Sequence, residues 1–359
     1  ISGVKHDALN KISFSANWMS STKTADEKGD LVRGVQALAN MADSLNVSVP
    51  VGKDSLSMKV NWKEGQSEHT VTSPMTLNIS SFSNVNDLNK SVTPELSDSD
   101  TTLLHLWAHS DKYRLGGSAL YQSFKLYGGA TPDIDDANQF KVLFEATQEL
   151  LDKDFIEALH DISDGGLITS LIEMALCSNQ GLDINLDYSD KEQLVPKLFS
   201  EEIGLVIEVK NEKLESVRNY LNEKELFFEN IAKKNDKKKI NINCFKEEVF
   251  SEDLTTLFNQ WSKVSHEIQK IRDSEDAALA EKEAYENFDK FLTPEINFVV
   301  PKPDKNLFRK RPKIALIREQ GINGQYDMAA ALMEAGFEVK DVHMSEFGSS
   351  IKDLDSYKG

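Results

Sequence analysis

Cysteine is scarce. The 359 residues hold two, Cys177 and Cys244, far apart and in no metal-type spacing, which leaves neither a disulfide framework nor a cysteine metal site in view. Both are expected to be free thiols in a cytoplasmic protein. Cys177 continues an apolar helical run after Leu176 and is expected in the core rather than as a nucleophile. Long apolar runs are also missing: none approaches the ~20 residues of a membrane span, and the start lacks the basic, apolar, small-residue pattern of a secretory signal. Positive charge is short too, with 41 Lys and Arg against 59 Asp and Glu and a net charge of −18. That balance argues against a nucleic-acid partner. It leaves phosphate ligands open, because a divalent cation and backbone donors can hold them. Finally, the GxxxxGK[ST] phosphate loop is absent.

What remains suits folded domains. Apolar residues make up 40% and charged residues 28%, and the length allows two or three domains. The most informative stretch is FIEALHDISDGGLITSLIEMAL, residues 155–176. It reads as a short apolar strand, an acidic glycine loop and a helix in which Leu167, Leu171, Met174 and Ala175 recur at helical spacing. Gly165 and Gly166 sit where the chain turns tightly into that helix. A helix N-terminus can hold a phosphate. The carboxylates of Asp161 and Asp164 would repel one unless a hard cation such as Mg²⁺ stands between. A second reading remains open at this point: Asp and Ser are ordinary helix caps, and Asp-Gly-Gly is an ordinary turn.

A second candidate is VSVPVGKDSLSM, residues 47–58. Val47, Val49 and Val51 alternate as in a strand that feeds into Gly52-Lys53-Asp54-Ser55. Backbone amide, cation, carboxylate and hydroxyl within four residues suit a phosphate or nucleotide contact, and a polar turn suits them equally. Weaker candidates are Arg114-Leu115-Gly116-Gly117-Ser118, as an anion cradle or a capped turn, and His105 with His109, for which no third metal ligand is visible. Glu201 and Glu202 read as packing and capping at a helix–strand corner. The run KKNDKKK, residues 233–239, reads as a solvated turn.

Elsewhere, strands are expected over 11–19, 70–83, 101–108 and 180–186. Helices are expected over 30–46 with Asp30 as cap, over 136–151, and in one long charged element from 253 to about 291. Pro294, Pro301, Pro303 and Pro312 mark a linker. KIALIR from Lys313, a loop at Gly321–Gly324, a helix from Tyr326 to Ala335 and a strand from Phe337 to Val342 open a doubly wound α/β sheet.

These motifs carry a resemblance. HDISDGGL resembles the HD-x-SDGGL signature of proteins related to aminoimidazole ribonucleotide synthetase. SANWM, PVGKDSLSM, HDISDGGL and IREQGINGQYDMAAAL, in that order, resemble the large single-chain phosphoribosylformylglycinamidine synthases of purine biosynthesis. The resemblance implies a mixed α/β and α+β fold: part of an N-terminal-type α/β subdomain over 1–97, a C-terminal-type α+β subdomain over 98–250, a helical segment and linker over 251–312, and from 313–359 the start of a flavodoxin-like class I glutamine amidotransferase domain. It implies an ATP-dependent C–N ligase that takes glutamine-derived ammonia and formylglycinamide ribonucleotide, with Mg²⁺ and ATP. By position, Asp161 is implied as the Mg²⁺ ligand, Ser163, Gly165 and Gly166 as nucleotide contacts, and Gly52, Lys53, Asp54 and Ser55 as substrate or phosphate contacts. Lys53 stands where the shorter relatives have asparagine, so a charge contact is expected there rather than a metal bond. The family holds two pseudo-symmetric clefts, and whether Asp161 serves the catalytic or the structural one stays open. The amidotransferase Cys-His-Glu triad has no counterpart in the last segment. Because the chain starts at Ile1 and stops one βαβ-like unit into that domain, it is expected to be an internal piece, inactive alone, whose partner is the rest of its own polypeptide. A different ATP-dependent relative, or a non-catalytic scaffold module of the same fold, is the alternative.

Overall fold

The computed structural model describes residues 3–6, 8–108, 112–186, 191–245, 247–286, 295–299, 311–319, 324–348 and 356–359. The chain divides into two units, Ile1–Glu286 and Asn287–Gly359. His109, three of the four linker prolines (Pro294, Pro301 and Pro303) and most of the Gly321–Gly324 loop lie outside the described residues.

The first unit begins with β1 (Ser13–Met19), α1 (Ala25–Leu45), β2 (Ser48–Ser55), β3 (Lys59–Glu64), β4 (Ser67–Thr72) and β5 (Thr76–Phe82). Helix α1 connects the parallel strands β1 and β2, and β5 pairs antiparallel to the other edge of β1. The cap of α1 is Thr24, not Asp30: Thr24 and Glu27 form a reciprocal capping box, each side chain taking the other's backbone amide. β3 and β4 form a separate hairpin around Gly65, exposed along nearly its whole length. Strand β2 runs through Gly52–Ser55, so that motif is extended chain in a sheet rather than a loop.

The rest of the unit holds β6 (Thr101–Trp107), α2 (Ala119–Ser123), α3 (Ala137–Asp152), β7 (Ala158–Asp161), α4 (Gly166–Ser178), β8 (Gly181–Leu186), α5 (Leu194–Phe199), β9 (Gly204–Lys210), α6 (Leu214–Glu223), β10 (Phe227–Asn235), β11 (Lys239–Cys244), β12 (Glu247–Asp253), α7 (Leu254–Arg272) and α8 (Glu275–Glu286). The sheet order is β12-β11-β8-β10-β6-β9-β7, with every pair antiparallel except β11 with β8. Strand alternation sends Leu103 and Val206 into a core with α4, α5 and α7. It sends Leu104, Leu106 and Ile207 into a second core on the opposite face, with α3 and α6. A third cluster, with Leu9, Leu45 and Phe144, ties α1 to α3.

Three further expectations change. The long charged helix breaks at Asp273-Ser274 into α7 and α8. Cys177 is exposed and Cys244 is the buried thiol; the buried stripe of α4 runs through Leu167, Ile168, Leu171, Met174 and Ala175 and leaves position 177 outside it. Only the middle of KKNDKKK is a turn. Lys234 belongs to β10, where its Nζ meets the fully buried Glu208 at 2.9 Å, and Glu208 also accepts from Thr101 Oγ1 at 2.6 Å and from the Ser97 amide at 2.9 Å.

In the second unit, β13 (Lys313–Arg318), α9 (Gln325–Glu334) and β14 (Glu338–His343) make one parallel βαβ step, as KIALIR and the following apolar helix led one to expect. Among the described residues no helix is long and apolar enough to cross a membrane.

Candidate functional site

Strand β7 is the sheet edge and ends at Asp161; Ile162 extends the ladder through its amide to Gly204 O at 2.9 Å. The chain then turns through Ser163, Asp164 and Gly165 into α4. Gly165 has φ +92° and Gly166 φ +77°, a region closed to most side chains. At Gly166 a Cβ would also lie 2.6 Å from the Phe199 carbonyl carbon, so the close approach of α5 independently requires glycine.

The loop is clamped from below. Ser170, fully buried on α4, places its hydroxyl 2.9 Å from the Asp161 carbonyl and 3.3 Å from the Ser163 amide. One side chain thereby fixes both candidate residues. His160 Nδ1 lies 2.7 Å from the same Asp161 carbonyl. His160 Nε2 lies 3.1 Å from Glu173 Oε2, and Trp261 Nε1 donates to Glu173 Oε1 at 2.8 Å. The bond to Glu173 is the main reason the His160 pKa is raised, and the same bond lowers that of Glu173. The Asp161 side chain itself is 71% exposed, its nearest cation being His160 Nδ1 at 3.6 Å. Its oxygens face outward, available to a hard cation.

The N-terminus of α4 already has a carboxylate. Glu201 Oε1 accepts the Gly165 amide at 2.8 Å and the Ala119 amide, at the start of α2, also at 2.8 Å. Glu202 forms a two-pronged pair with Arg114, Nε to Oε1 at 2.6 Å and Nη2 to Oε2 at 2.8 Å, and this raises the Arg114 pKa. The RLGGS turn is therefore bolted to the Glu201-Glu202 corner. Ser118 caps α2 by accepting the Tyr121 amide, and Glu201 takes the next donor, so the turn has acceptors from the chain itself. His105 is occupied as well: its Nδ1 lies 3.3 Å from Glu229, which is paired to the buried Lys197 at 2.6 Å.

Gly52–Ser55 and SANWM are brought side by side. Ala16 pairs with Gly52, Asn17 with Lys53, Trp18 with Asp54 and Met19 with Ser55. Alternation splits the four candidates between two faces. Lys53 and Ser55 share one with Asn17 and Asn78, and Lys53 Nζ donates to Ser55 Oγ. Gly52 and Asp54 share the other with Trp18, whose ring would lie 3.3 Å from a Cβ at position 52. That second face also carries Phe14, Ile79 and Ser81, which line an apolar cavity of about 590 Å³ together with Leu38, Met41 and Asp161. The cavity at Asp161 thus lies on the Asp54 side of the sheet, and Lys53 and Ser55 point away from it. No hydrogen bond or ion pair joins Gly52–Ser55 to the Asp161 loop among the described residues.

Sequence reasoning missed Ser170, Glu173 and Trp261. Their signal was faint: a serine and a glutamate on an otherwise apolar helix, and a tryptophan on a charged one.

As to a metal, Asp161 offers exposed carboxylate oxygen, the donor Mg²⁺ prefers, and Mg²⁺ commonly takes one or two carboxylates with phosphates and water. No group of three or more His, Cys, Asp or Glu side chains converges among the described residues, so the described side chains would supply a cation with only part of its ligand set.

Three family models match in succession. Residues 1–84 match the FGAR-AT PurM_N-like domain, 108–244 the C-terminal domain of AIR synthase related proteins, and 311–359 the CobB/CobQ-like glutamine amidotransferase domain. Among solved structures, T. maritima PurL complexed with ATP is 17% identical with a TM-score of 0.52, covering 71% of this chain and 38% of that one. T. maritima PurL complexed with ADP is 15% identical with a TM-score of 0.50, covering 71% and 38%. Phosphoribosylformylglycinamidine synthase II from Thermotoga maritima is 14% identical with a TM-score of 0.50, covering 68% and 37%. These likenesses establish the fold, over less than two fifths of the solved chains. Along this chain a match to a PurM_N-like domain of FGAR-AT type, a match to an AIR-synthase-type C-terminal domain and a match to a glutamine amidotransferase domain follow one another in succession.

Proposed function

We propose that the chain forms part of an enzyme that converts formylglycinamide ribonucleotide to formylglycinamidine ribonucleotide, using ATP and the amide nitrogen of glutamine. The observation that carries this reading is the succession of synthetase-type and amidotransferase-type domains on one chain. The chemistry fits that pairing. ATP transfers its γ-phosphoryl group to the substrate amide oxygen, releasing ADP; ammonia then adds to the activated carbon and phosphate leaves. Such an intermediate has to be kept from water.

Within this reading Asp161 is a Mg²⁺ ligand and the Ser163 hydroxyl a nucleotide-phosphate contact. Ser170 fixes both at the backbone. Gly165 and Gly166 make the turn that lets the loop meet a phosphate. When bound, Mg²⁺ would offset the charge between Asp161 and the phosphates. The cavity beside Asp161 is apolar and within the usual volume range of ligand sites, roughly 300–1,000 Å³. Lys53 and Ser55, on the opposite face, belong to a second site that binds an anionic part of the substrate. The opposed faces support separate clefts, with Asp161 in the structural nucleotide site and Lys53 in the catalytic one. A cytoplasmic setting is in keeping with the free thiols of Cys177 and Cys244.

The test is ADP release by the complete polypeptide, given formylglycinamide ribonucleotide and Mg-ATP with glutamine or with ammonia. Substrate-dependent release with either nitrogen donor is expected. Folded protein that binds nucleotide yet turns over with neither donor would point instead to a non-catalytic nucleotide-binding module. Lys53→Met is expected to raise KM for the ribonucleotide and leave Mg-ADP binding intact; Asp161→Asn is expected to weaken Mg-ADP binding.

A further inference from the structure

Glu173 and Trp261 lie outside the motifs that suggest the site, yet both connect to it. Asp161 and His160 end β7, Glu173 is on the second turn of α4, and Trp261 is on α7. One line of hydrogen bonds crosses all three elements: Trp261 Nε1 to Glu173 Oε1 at 2.8 Å, Glu173 Oε2 to His160 Nε2 at 3.1 Å, and His160 Nδ1 to the Asp161 carbonyl at 2.7 Å. His160 is 14% exposed at its side chain and Glu173 24%, so the middle of the line is largely shielded from competing water. Each member has a geometric task. Trp261 fixes one carboxylate oxygen of Glu173, which aims the other at the ring. The ring, held at Nε2, sets the peptide unit of Asp161 at the same carbonyl oxygen to which Ser170 donates. Among the described residues the Asp161 carboxylate accepts no hydrogen bond and has only His160 Nδ1 near it, at 3.6 Å, so its direction depends on how its backbone and that ring are held. Groups that orient a metal ligand in this way are worth about 10- to 100-fold in metal affinity.

We propose that Glu173 and Trp261 are positioning residues for the Asp161 loop, acting through His160, so that helix α7 tunes the cation–nucleotide site without touching it. The proposal rests on the reading of Asp161 as a cation ligand.

The experiment measures binding of ADP to the complete polypeptide by titration calorimetry, with Mg²⁺ and without it, for wild type, Asp161→Asn, Glu173→Gln, Trp261→Phe and the Glu173→Gln/Trp261→Phe double variant. Glu173→Gln is expected to weaken Mg-ADP binding about tenfold and Trp261→Phe about threefold. The double variant is expected to be no weaker than Glu173→Gln alone, because the two act in series. Metal-free ADP binding is expected to stay within about twofold of wild type; a merely structural role would move both forms together. Unchanged Mg-ADP affinity in the two single variants, additive losses, or equal losses with and without Mg²⁺ would overturn the proposal. Asp161→Asn separates the two levels. If it weakens Mg-ADP binding while Glu173→Gln and Trp261→Phe do not, the positioning role alone fails; if it changes nothing, the cation reading of Asp161 fails first.

Discussion

Glu201 accepts the backbone amide of Gly165 at 2.8 Å, so the first donor of α4 is satisfied by a carboxylate from another part of the chain. The same oxygen takes the Ala119 amide. Two helix starts hang on one side chain. Glu201→Ala is expected to cost about 1–2 kcal/mol, two neutral donors losing a charged acceptor. Glu201→Gln keeps an acceptor oxygen and is expected to cost under about 1 kcal/mol. Urea denaturation of both variants checks the order; equal losses would mean that charge rather than hydrogen bonding holds the corner.

Two glycines with left-handed backbone give a matched comparison. Gly65 has φ +62° and open space where a Cβ would go, whereas at Gly166 a Cβ would meet the α5 backbone. Gly65→Ala is expected to cost about 1 kcal/mol, the conformational penalty alone. Gly166→Ala is expected to cost about 3 kcal/mol or more, because strain and overpacking combine. Thermal unfolding curves decide it, and similar shifts would show that α5 yields to the added methyl group.

Lys234 and Glu208 make a buried pair with unequal exposure, Glu208 having none. Lys234 also donates to the carbonyls of Ser97 and Ser99. Lys234→Ala leaves the carboxylate uncompensated and is expected to cost about 3–5 kcal/mol. Replacing both, as Glu208→Gln with Lys234→Met, is expected to recover most of that loss. A double variant as unstable as Lys234→Ala would show that packing, not charge burial, dominates there.

The histidines His105 and His160 are displaced in opposite directions. Burial is the main cause that lowers His105, against the pull of Glu229; the bond to Glu173 raises His160. For His160 the folded state binds the proton more tightly, so its stabilisation is complete below the unfolded value of about 6.5 and fades as pH rises through the raised folded value. For His105 the unfolded chain binds the proton more tightly. Its contribution is complete above about pH 6.5 and falls as pH drops toward the lowered folded value. NMR titration is expected to find His105 titrating below about 6.5 and His160 above it; the reverse order would contradict the surroundings described for both rings.

Much of the fold is legible in local pattern. The α4 loop declares itself because a helical apolar period follows two glycines, and the β13–α9–β14 step because each element has its own period. The β3–β4 hairpin went largely unread because Val60, Trp62 and Val71 stay exposed rather than marking a buried face, and the single strand expected over 70–83 divides into the end of β4 and the whole of β5. Gly52–Ser55 looked like a loop because glycine and aspartate avoid strands; pairing with β1 overrides that preference. The role of Lys234 was hidden in a lysine run, although Glu208 inside the apolar strand GLVIEVK was a sign that a cation had to come from elsewhere. The chain of His160, Glu173 and Trp261 could not be seen at all, since it exists only once α7 packs beside α4.

The interior strand β6 is buried at all seven positions, and its partners come late. Thr101 pairs with Lys210 in β9, and Trp107 with Phe227 in β10, separations on the order of a hundred residues, of the kind that slow folding. During synthesis the segment TTLLHLW therefore leaves the ribosome with both edges open and waits for two strands not yet made. An apolar strand in that state is a template for pairing with other chains. Nascent-chain binding by chaperones is expected to centre on β6 and to end when β10 emerges.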